Sequence, residues 1–523
     1  MFTDKVRIHW DNASAPGGWC MPTPGAHHQY PLEATLKIDA DQVWWTTESG
    51  RASTVSKSLI FGATRVARPL PAVKTLKSTA VLSQNLYNTA DAALFNIENS
   101  PYWILHAVEL KQGRTDKQPG IRRILFESQD VGAKACTDAV VDCAGLGQTV
   151  RSVLVLLNPF SGTKRGKQYY RTVVKPMFDI AGITVHLQET THINHATEIT
   201  RSINLNLYSA VVTIGGDGVF HEAINGLLTR PDWEEARRVP VGFIGGGSAN
   251  AMNKNLMTES RELATLTVIK GQTRPLDIFS VSQNDTVVYS HLAVMWTLLA
   301  DLDFESERYR WMGGERMTVA AIIRLIRLRT YRGKLYLLPT SQADDAHDAL
   351  YDESAAPRTP GGQHGPARRF TANPTAHLAW PRKLDTTFNY FVATNLPWVS
   401  DQFMAAPGSR LADGNLHVVW SEGMTLVQAL ASLMDQGSGN YLTSPVMNVE
   451  RVKAFVIDPQ GWSWDKKGLK DVQAGKYMDV SGEQVPYLPT RVEVHPAIMN
   501  VLAPDWLDEE EWTRIAEKAK RAK

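Results

Sequence analysis

The stretch Ser209-Ala-Val-Val-Thr-Ile-Gly-Gly-Asp-Gly218 limits what this chain can fold into more than any other. A run of strand-favouring residues ends in three glycines around one aspartate. Val219-Phe-His-Glu-Ala-Ile-Asn-Gly-Leu-Leu228 follows at once, with Phe220, Ala223, Ile224, Leu227 and Leu228 on one helical face. A strand, a tight turn and a helix start are expected in direct succession. Gly215, Gly216 and Gly218 let backbone amides approach an anion, the helix N-terminus adds partial positive charge, and Asp217 supplies the only carboxylate in the turn. The natural reading is a phosphate site with a built-in base.

Two further turns follow strand-like runs in the same way. Ser152-Val-Leu-Val-Leu-Leu157 leads into Asn158-Pro-Phe-Ser-Gly162, and Val239-Pro-Val-Gly-Phe-Ile244 leads into Gly245-Gly-Gly-Ser-Ala-Asn250. With Ile183-Thr-Val-His-Leu187, these apolar runs alternate with helix-length segments, which predicts βαβ units and a parallel sheet. All three turns then lie at the carboxyl ends of the strands, where open α/β sheets bind ligands. Two familiar nucleotide motifs fail on spacing. Gly162-Thr-Lys-Arg-Gly-Lys167 is one residue short of a P-loop, with Gln168 where a metal-binding Ser or Thr is needed, and His221 and Asn250 stand where the dinucleotide fingerprint requires its third glycine.

The 523 residues allow two large domains or three, and 43% hydrophobic residues allow buried cores. A net charge of +1 gives no global reason to expect nucleic acid as a partner, and the oligomeric state is left open. Cys20, Cys136 and Cys143 show no metal-type pairing and suit a reducing compartment. The N-terminus lacks a signal-peptide core and no segment is apolar enough to span a bilayer, so the expected location is the cytoplasm, with reversible membrane association.

Along the chain, residues 1–30 read as an irregular lead-in rich in Pro, Gly, Ser and His. Residues 31–148 carry short strand-like runs closed by a helix from Asp130 to Cys143, a pattern that looks like a pleckstrin-homology-type module. Residues 149–274 form the α/β nucleotide-binding unit, Rossmann-like in outline. Residues 275–507 read as an antiparallel β domain, taken as a sandwich, with residues 340–374 as a disordered insertion and 508–523 as a charged helix.

Several blocks together resemble the sphingosine kinases (sphingoid long-chain-base kinases) of the diacylglycerol-kinase catalytic superfamily: Leu156-Leu-Asn-Pro159, Gly215-Gly-Asp-Gly-Val-Phe-His-Glu222 with Asn225-Gly226, Gly247-Ser-Ala-Asn250, and Ala300-Asp-Leu-Asp-Phe-Glu-Ser-Glu-Arg-Tyr-Arg310 with Gly314-Glu-Arg316. The glycine turns are shared across the superfamily, whereas the Asp-Leu-Asp-Phe-Glu-Ser-Glu block narrows the likeness to sphingosine kinases. The resemblance implies a lipid kinase using ATP and Mg2+, which phosphorylates the primary hydroxyl of sphingoid bases. Ceramide or diacylglycerol kinases on the same fold, or a membrane-recruited scaffold with a weak kinase domain, are the alternatives.

The resemblance also assigns roles. Asp217 matches the catalytic base, a helix-capping aspartate being the other reading. Asn158, Thr190, Gly215, Gly216, Gly218, Glu222, Gly247, Ser248, Asn250, Gly482 and Glu483 match the nucleotide pocket, and Arg310 and Arg316 the phosphate contacts. Asp303 matches the position that recognises the lipid's polar head, where a carboxylate suits a cationic amine; internal pairing with an arginine is its alternative. Trp296, Leu298 and Leu299 would line the tail pocket or serve as ordinary core. Val319, Ile322, Ile323 and Ile326 lie at helical spacing, with Arg324, Arg327, Arg329 and Arg332 around them, which suits either an anionic membrane surface or packing on the second domain. Three departures stand out. Ser481 replaces a carboxylate of the usual Asp-Gly-Glu, leaving the metal ligands undetermined. Gly245-Gly246 and Ala249 alter the third glycine turn, and Thr297 replaces a common glycine beside the lipid pocket.

Overall fold

The computed structural model describes residues 2–11, 32–48, 52–66, 101–109, 120–146, 150–247, 249–306, 308–309, 316–326, 328–342, 364–463 and 476–521. Seven antiparallel strands open the chain: β1 (Phe2–Asp11), β2 (Leu32–Ile38), β3 (Gln42–Thr47), β4 (Ala52–Ser56), β5 (Ile60–Val66), β6 (Tyr102–Glu109) and β7 (Gly120–Ser128). They form one sheet in the order β4-β3-β2-β1-β7-β6-β5, followed by helix α1 (Ala133–Ala144). Residues 2–11, expected to be irregular, are therefore a central strand. Its inward positions are Asp4, Val6 and Ile8, and the charge at the first hides the alternation. Asp4 is buried because Ser128 Oγ (2.6 Å), the amides of Asp130 and Val131 (both 3.2 Å) and Cys136 Sγ (3.2 Å) all donate to it.

The α/β unit follows as β8 (Ser152–Leu157), α2 (Lys175–Ile180), β9 (Thr184–Glu189), α3 (His195–Ser202), β10 (Ala210–Gly215), α4 (Asp217–Leu228), β11 (Val241–Gly245), α5 (Ala251–Asn255) and α6 (Arg261–Lys270). β9, β8, β10 and β11 are parallel neighbours, as the continuous apolar runs predict. The first sheet docks against this unit. Val6, Trp103 and Phe126 share one buried cluster with Val174, Met177, Phe178, Val153 and Ile214, and Lys270 Nζ donates to Lys57 O (2.7 Å) and to Ala144 O (2.8 Å) at the end of α1.

The remaining elements are β12 (Thr273–Gln283), β13 (Thr286–Ser290), β14 (Ala293–Thr297), α7 (Leu298–Ser306), α8 (Arg316–Ile326), β15 (Thr330–Pro339), β16 (Arg382–Phe388), β17 (Tyr390–Thr394), β18 (Trp398–Ser400), β19 (Phe403–Met404), β20 (Leu416–Ser421), α9 (Leu426–Met434), β21 (Asn448–Ser463), β22 (Met478–Val480), β23 (Glu483–Val485), β24 (Thr490–Leu502) and α10 (Glu511–Arg521). Their pairings are antiparallel, with one exception: β24 meets β11 in parallel at Val241 and Val501 while pairing antiparallel with β12 and β21. That contact joins both halves into one sheet of 15 described strands. The insertion expectation also needs correcting. Residues 343–363 lie outside the described residues, but 364–374 are held in place, because buried Glu493 accepts the amides of Arg369 (2.6 Å), Phe370 and Thr371 (both 2.9 Å) and the Thr371 hydroxyl (2.9 Å). α10 is charged on one side, as expected, while Trp512 packs edge-on against Trp398.

Candidate active site

The three glycine turns meet. Asn158, just past β8, donates its amide to Ile214 O (2.9 Å), and its Oδ1 accepts the Phe160 amide (2.9 Å), shaping the first turn. The amides of Gly246 and Gly247 both donate to Gly215 O, at 2.7 and 3.1 Å. A Cβ on Gly162, whose φ is 52°, would come within 2.6 Å of Gly246 O, and one on Gly247 would strike the Gly216 backbone. Side chains are excluded here because three backbones converge on one another, which leaves their amides as the surface presented at the sheet's carboxyl edge.

Asp217 begins α4 directly after Gly216. Its Oδ2 accepts the Ala251 amide (3.0 Å) and its Oδ1 the Met252 amide (3.1 Å), so it caps α5 from the second turn. Burial pushes this carboxyl above its ordinary range, the two amides oppose the shift, and Asp401 adds to it. Asp401 arrives from the turn between β18 and β19, where its amide donates to Ala249 O (2.9 Å). Sequence reading missed Asp401, since nothing local marks a carboxylate so far along the chain.

Around these turns lie most of the remaining nucleotide candidates. Thr190 is buried, its amide donating to Leu157 O (2.8 Å). Glu222 Oε2 accepts the Ala196 amide (3.0 Å) at the start of α3, and burial raises its pKa against that bond. Asn250, at φ 44°, closes on Gly247 through both its amide oxygen (2.9 Å) and its amide nitrogen (3.0 Å). Gly218 is open, and the nearest group to a Cβ placed there is Glu483 Oε1, at 3.8 Å. Glu483 is itself pushed up by loss of water on one side and by Glu222. Ser248 and Arg310 lie outside the described residues, and Arg316 is placed only as the first residue of α8.

Ser481 and Gly482 connect β22 to β23 with positive φ at both positions, 54° and 86°. That is the pattern of a type I′ hairpin, which accepts Asp-Gly, Asn-Gly or, here, Ser-Gly. The Ser481 hydroxyl is turned inward onto the Ser290 hydroxyl, and its amide donates to Ala293 O (2.8 Å). It is not available to an ion. Among the described residues, no group of three or more His, Cys, Asp or Glu side chains could hold a metal. This donor set fits magnesium carried in on phosphate oxygens, which needs only one or two carboxylates from the protein.

On the lipid side, Asp303 sits half-buried on α7, facing fully buried Asp479 of β22. The basic residues of α8 and β15 do not serve as expected. Arg329 Nη1 reaches Asp301 Oδ1 and Glu305 Oε1, both at 2.9 Å, Tyr331 donates to Asp301 (2.6 Å), and Arg324 pairs with Glu305. Arg324 and Arg329 are thus buried in ion pairs and Arg332 pairs with Asp385, so none is a free surface charge; Arg327 lies outside the described residues. Helical periodicity shows which face a cation occupies but not whether an acid waits there. Ile322, Ile323 and Ile326 are exposed on α8, with Val319 half-buried. On α9, beside it, Leu426, Val427, Leu430 and Met434 are exposed too. Trp296 is core, its ring among Tyr331, Phe388 and Phe391, while Leu298 and Leu299 are buried in the cluster that holds Ala320 and Leu325 of α8 and Ala429 of α9.

A parallel sheet presenting three interlocked glycine turns, continued by an antiparallel domain bearing acidic groups and an exposed apolar edge, defines a kinase of the diacylglycerol-kinase catalytic class. Residues 152–281 match the model of the diacylglycerol kinase catalytic domain. Sphingosine kinase 2 of Arabidopsis thaliana is 33% identical over 337 residues, covering 62% of this chain and 69% of that protein. Sphingosine kinase 1 of Homo sapiens is 31% identical over 374 residues, covering 66% and 88%. Sphingoid long chain base kinase 4 of Schizosaccharomyces pombe is 26% identical over 358 residues, covering 68% and 75%. The chain belongs to the sphingosine kinase family.

Proposed function

We infer that this protein transfers the γ-phosphoryl group of ATP to the primary hydroxyl of a sphingoid long-chain base, giving the 1-phosphate. The observation that carries the reading is the convergence of the three glycine turns around Asp217, since phosphoryl transfer asks chiefly for positioned phosphates and one base. Asp217 takes the hydroxyl proton as the new O–P bond forms and the bond to ADP breaks. Its oxygens each keep a lone pair beyond the Ala251 and Met252 amides, so capping α5 and accepting that proton are compatible. The amides of the glycine turns, with Arg310 and Arg316, take the phosphate charge, and Asn158, Thr190, Glu222, Ser248 and Asn250 frame the nucleotide. Glu483 would hold magnesium, which when bound offsets phosphate charge. Asp303 takes the substrate's amine.

The substrate lies in a membrane, and the protein meets it as a peripheral protein of the cytoplasm. No helix among the described residues is long and apolar enough to cross a bilayer. Support for contact at the surface comes from the exposed side chains of α8 and α9, which sit over buried Leu298 and Leu299 beside the proposed tail site. With Arg324, Arg329 and Arg332 paired, this contact is chiefly apolar. We read residues 31–148, with β1, as a pleckstrin-homology-like module, on the support of seven antiparallel strands closed by one helix, and residues 275–507 as the lipid-binding domain.

Purified protein with labelled ATP, magnesium and separate vesicles of sphinganine, ceramide or diacylglycerol tests the reading. Product from sphinganine alone is expected. Product only from the neutral lipids would overturn the role of Asp303, and vesicle binding without any product would leave a scaffold.

A further inference from the structure

We propose that Asp479 is a second head-group carboxylate, which holds the ammonium of the sphingoid base together with Asp303 and so sets which lipids are accepted. This rests on the sphingoid-base reading of the same cleft. In β22 the strand alternation sends Met478 and Val480 into the core beside Val294 and Trp296, and turns Asp479 to the opposite face. Asp479 is fully buried. Its Oδ1 accepts the Gly482 amide (2.7 Å), whereas its Oδ2, equally buried, is met by no N–H or hydroxyl among the described residues. What faces this carboxyl is that of Asp303.

Two facing carboxyls bond to each other only through a shared proton, a single donor between four oxygens. The arrangement is completed by a cation with several N–H groups. A primary ammonium has three, enough for both carboxylates at once. An acylated amine is neutral and has one N–H, and a diacylglycerol has none. The two acids are also held in fixed relation, because the Phe304 ring on α7 packs 5.5 Å from that of Tyr477, just ahead of β22. Glu483, which lies against Gly218, also acts on Asp479, so the acid pair adjoins the turn that carries Asp217.

The test is Asp479→Asn, which keeps the shape and an acceptor for the Gly482 amide while removing one charge. KM for sphinganine should rise at least about tenfold with KM for ATP unchanged. The thermal midpoint should hold or rise, because one of two facing buried acids is gone. Asp303→Asn and the double variant should be non-additive. An unchanged lipid KM would overturn the proposal and leave Asp479 a packing residue. A rise in KM for magnesium-ATP with none for lipid would overturn it in favour of a metal role. Calorimetry with a soluble short-chain 2-amino-1,3-diol separates this from the kinase reading. Wild-type binding lost in Asp479→Asn, without turnover by either, keeps the site and removes the activity; turnover equal in both removes the site and keeps the activity; wild type neither binding nor turning over removes both.

Discussion

Asp217 shows what burial does to a single carboxylate at this site. Desolvation holds its pKa above the ordinary carboxylate value of about 4, despite two amide bonds. A base acts only when deprotonated, so kcat should fall as pH drops through this raised value, giving an acid limb above the range of an exposed carboxylate. The effect on stability has its own sign. A folded pKa above the unfolded one means the folded protein holds the proton more tightly, so its contribution is present below the unfolded pKa and lost as pH rises through the folded one. Asp217→Asn should thus lower turnover by at least about a hundredfold. At neutral pH its calorimetric midpoint should match or exceed that of wild type, whereas activity and midpoint falling together would mark Asp217 as only a cap. Thr297 stands where the family resemblance implies a glycine, and its backbone suits one: φ is 65°, the side chain is buried, and Oγ1 has no hydrogen-bond partner among the described residues. A β-branched residue held there costs about 1–3 kcal/mol. After the loss of a methyl contact and the entropy of glycine, Thr297→Gly should stabilise the protein by about 1 kcal/mol, readable as a higher midpoint in a thermal melt.

Helices α8 and α9 make one apolar surface from separate parts of the chain. Ile326, Val427 and Met434 are each 71–77% exposed, which favours a partner that removes them from water. Ile326→Asp with Met434→Asp should weaken sedimentation with neutral vesicles by at least about tenfold, by removing apolar area that the interface would bury and putting charge in its place, and leave turnover of a soluble short-chain base intact. Equal loss on both substrates would place these residues in the cleft. The elements also differ in how far the sequence revealed them. β8, β10 and β11 were readable because strands buried on both faces are continuous apolar runs. β1 was not, since Asp4 occupies an inward position that Ser128, the amides of Asp130 and Val131 and Cys136 of α1 together make tolerable. The glycine turns were legible as a site because only glycine fits where backbones touch. The ion pairs of Arg324 and Arg329 and the approach of Asp479 to Asp303 depend on strands and helices far apart in sequence, and no local pattern records them.

At the scale of the molecule, the first sheet is not a detachable appendage. Val174, Met177 and Phe178 of the α/β unit are fully buried in a cluster that includes Trp103 and Phe126, and a side chain at Gly62 would collide with Ile180. Deleting residues 1–146 should expose that face and yield aggregated protein that binds a hydrophobic dye; a monodisperse, fully active truncation would show the interface to be dispensable. Strand β24 binds the halves more tightly still. Val241 finds its neighbour in Val501, and Thr273 through Ser282 find theirs between Arg491 and Leu502. During synthesis the ribosome releases the glycine turns long before it releases β24, and until then β11 and β12 present unpaired edges. Catalytic competence therefore waits on β24, and a nascent chain stalled ahead of Thr490 is material for chaperones, not a slow kinase.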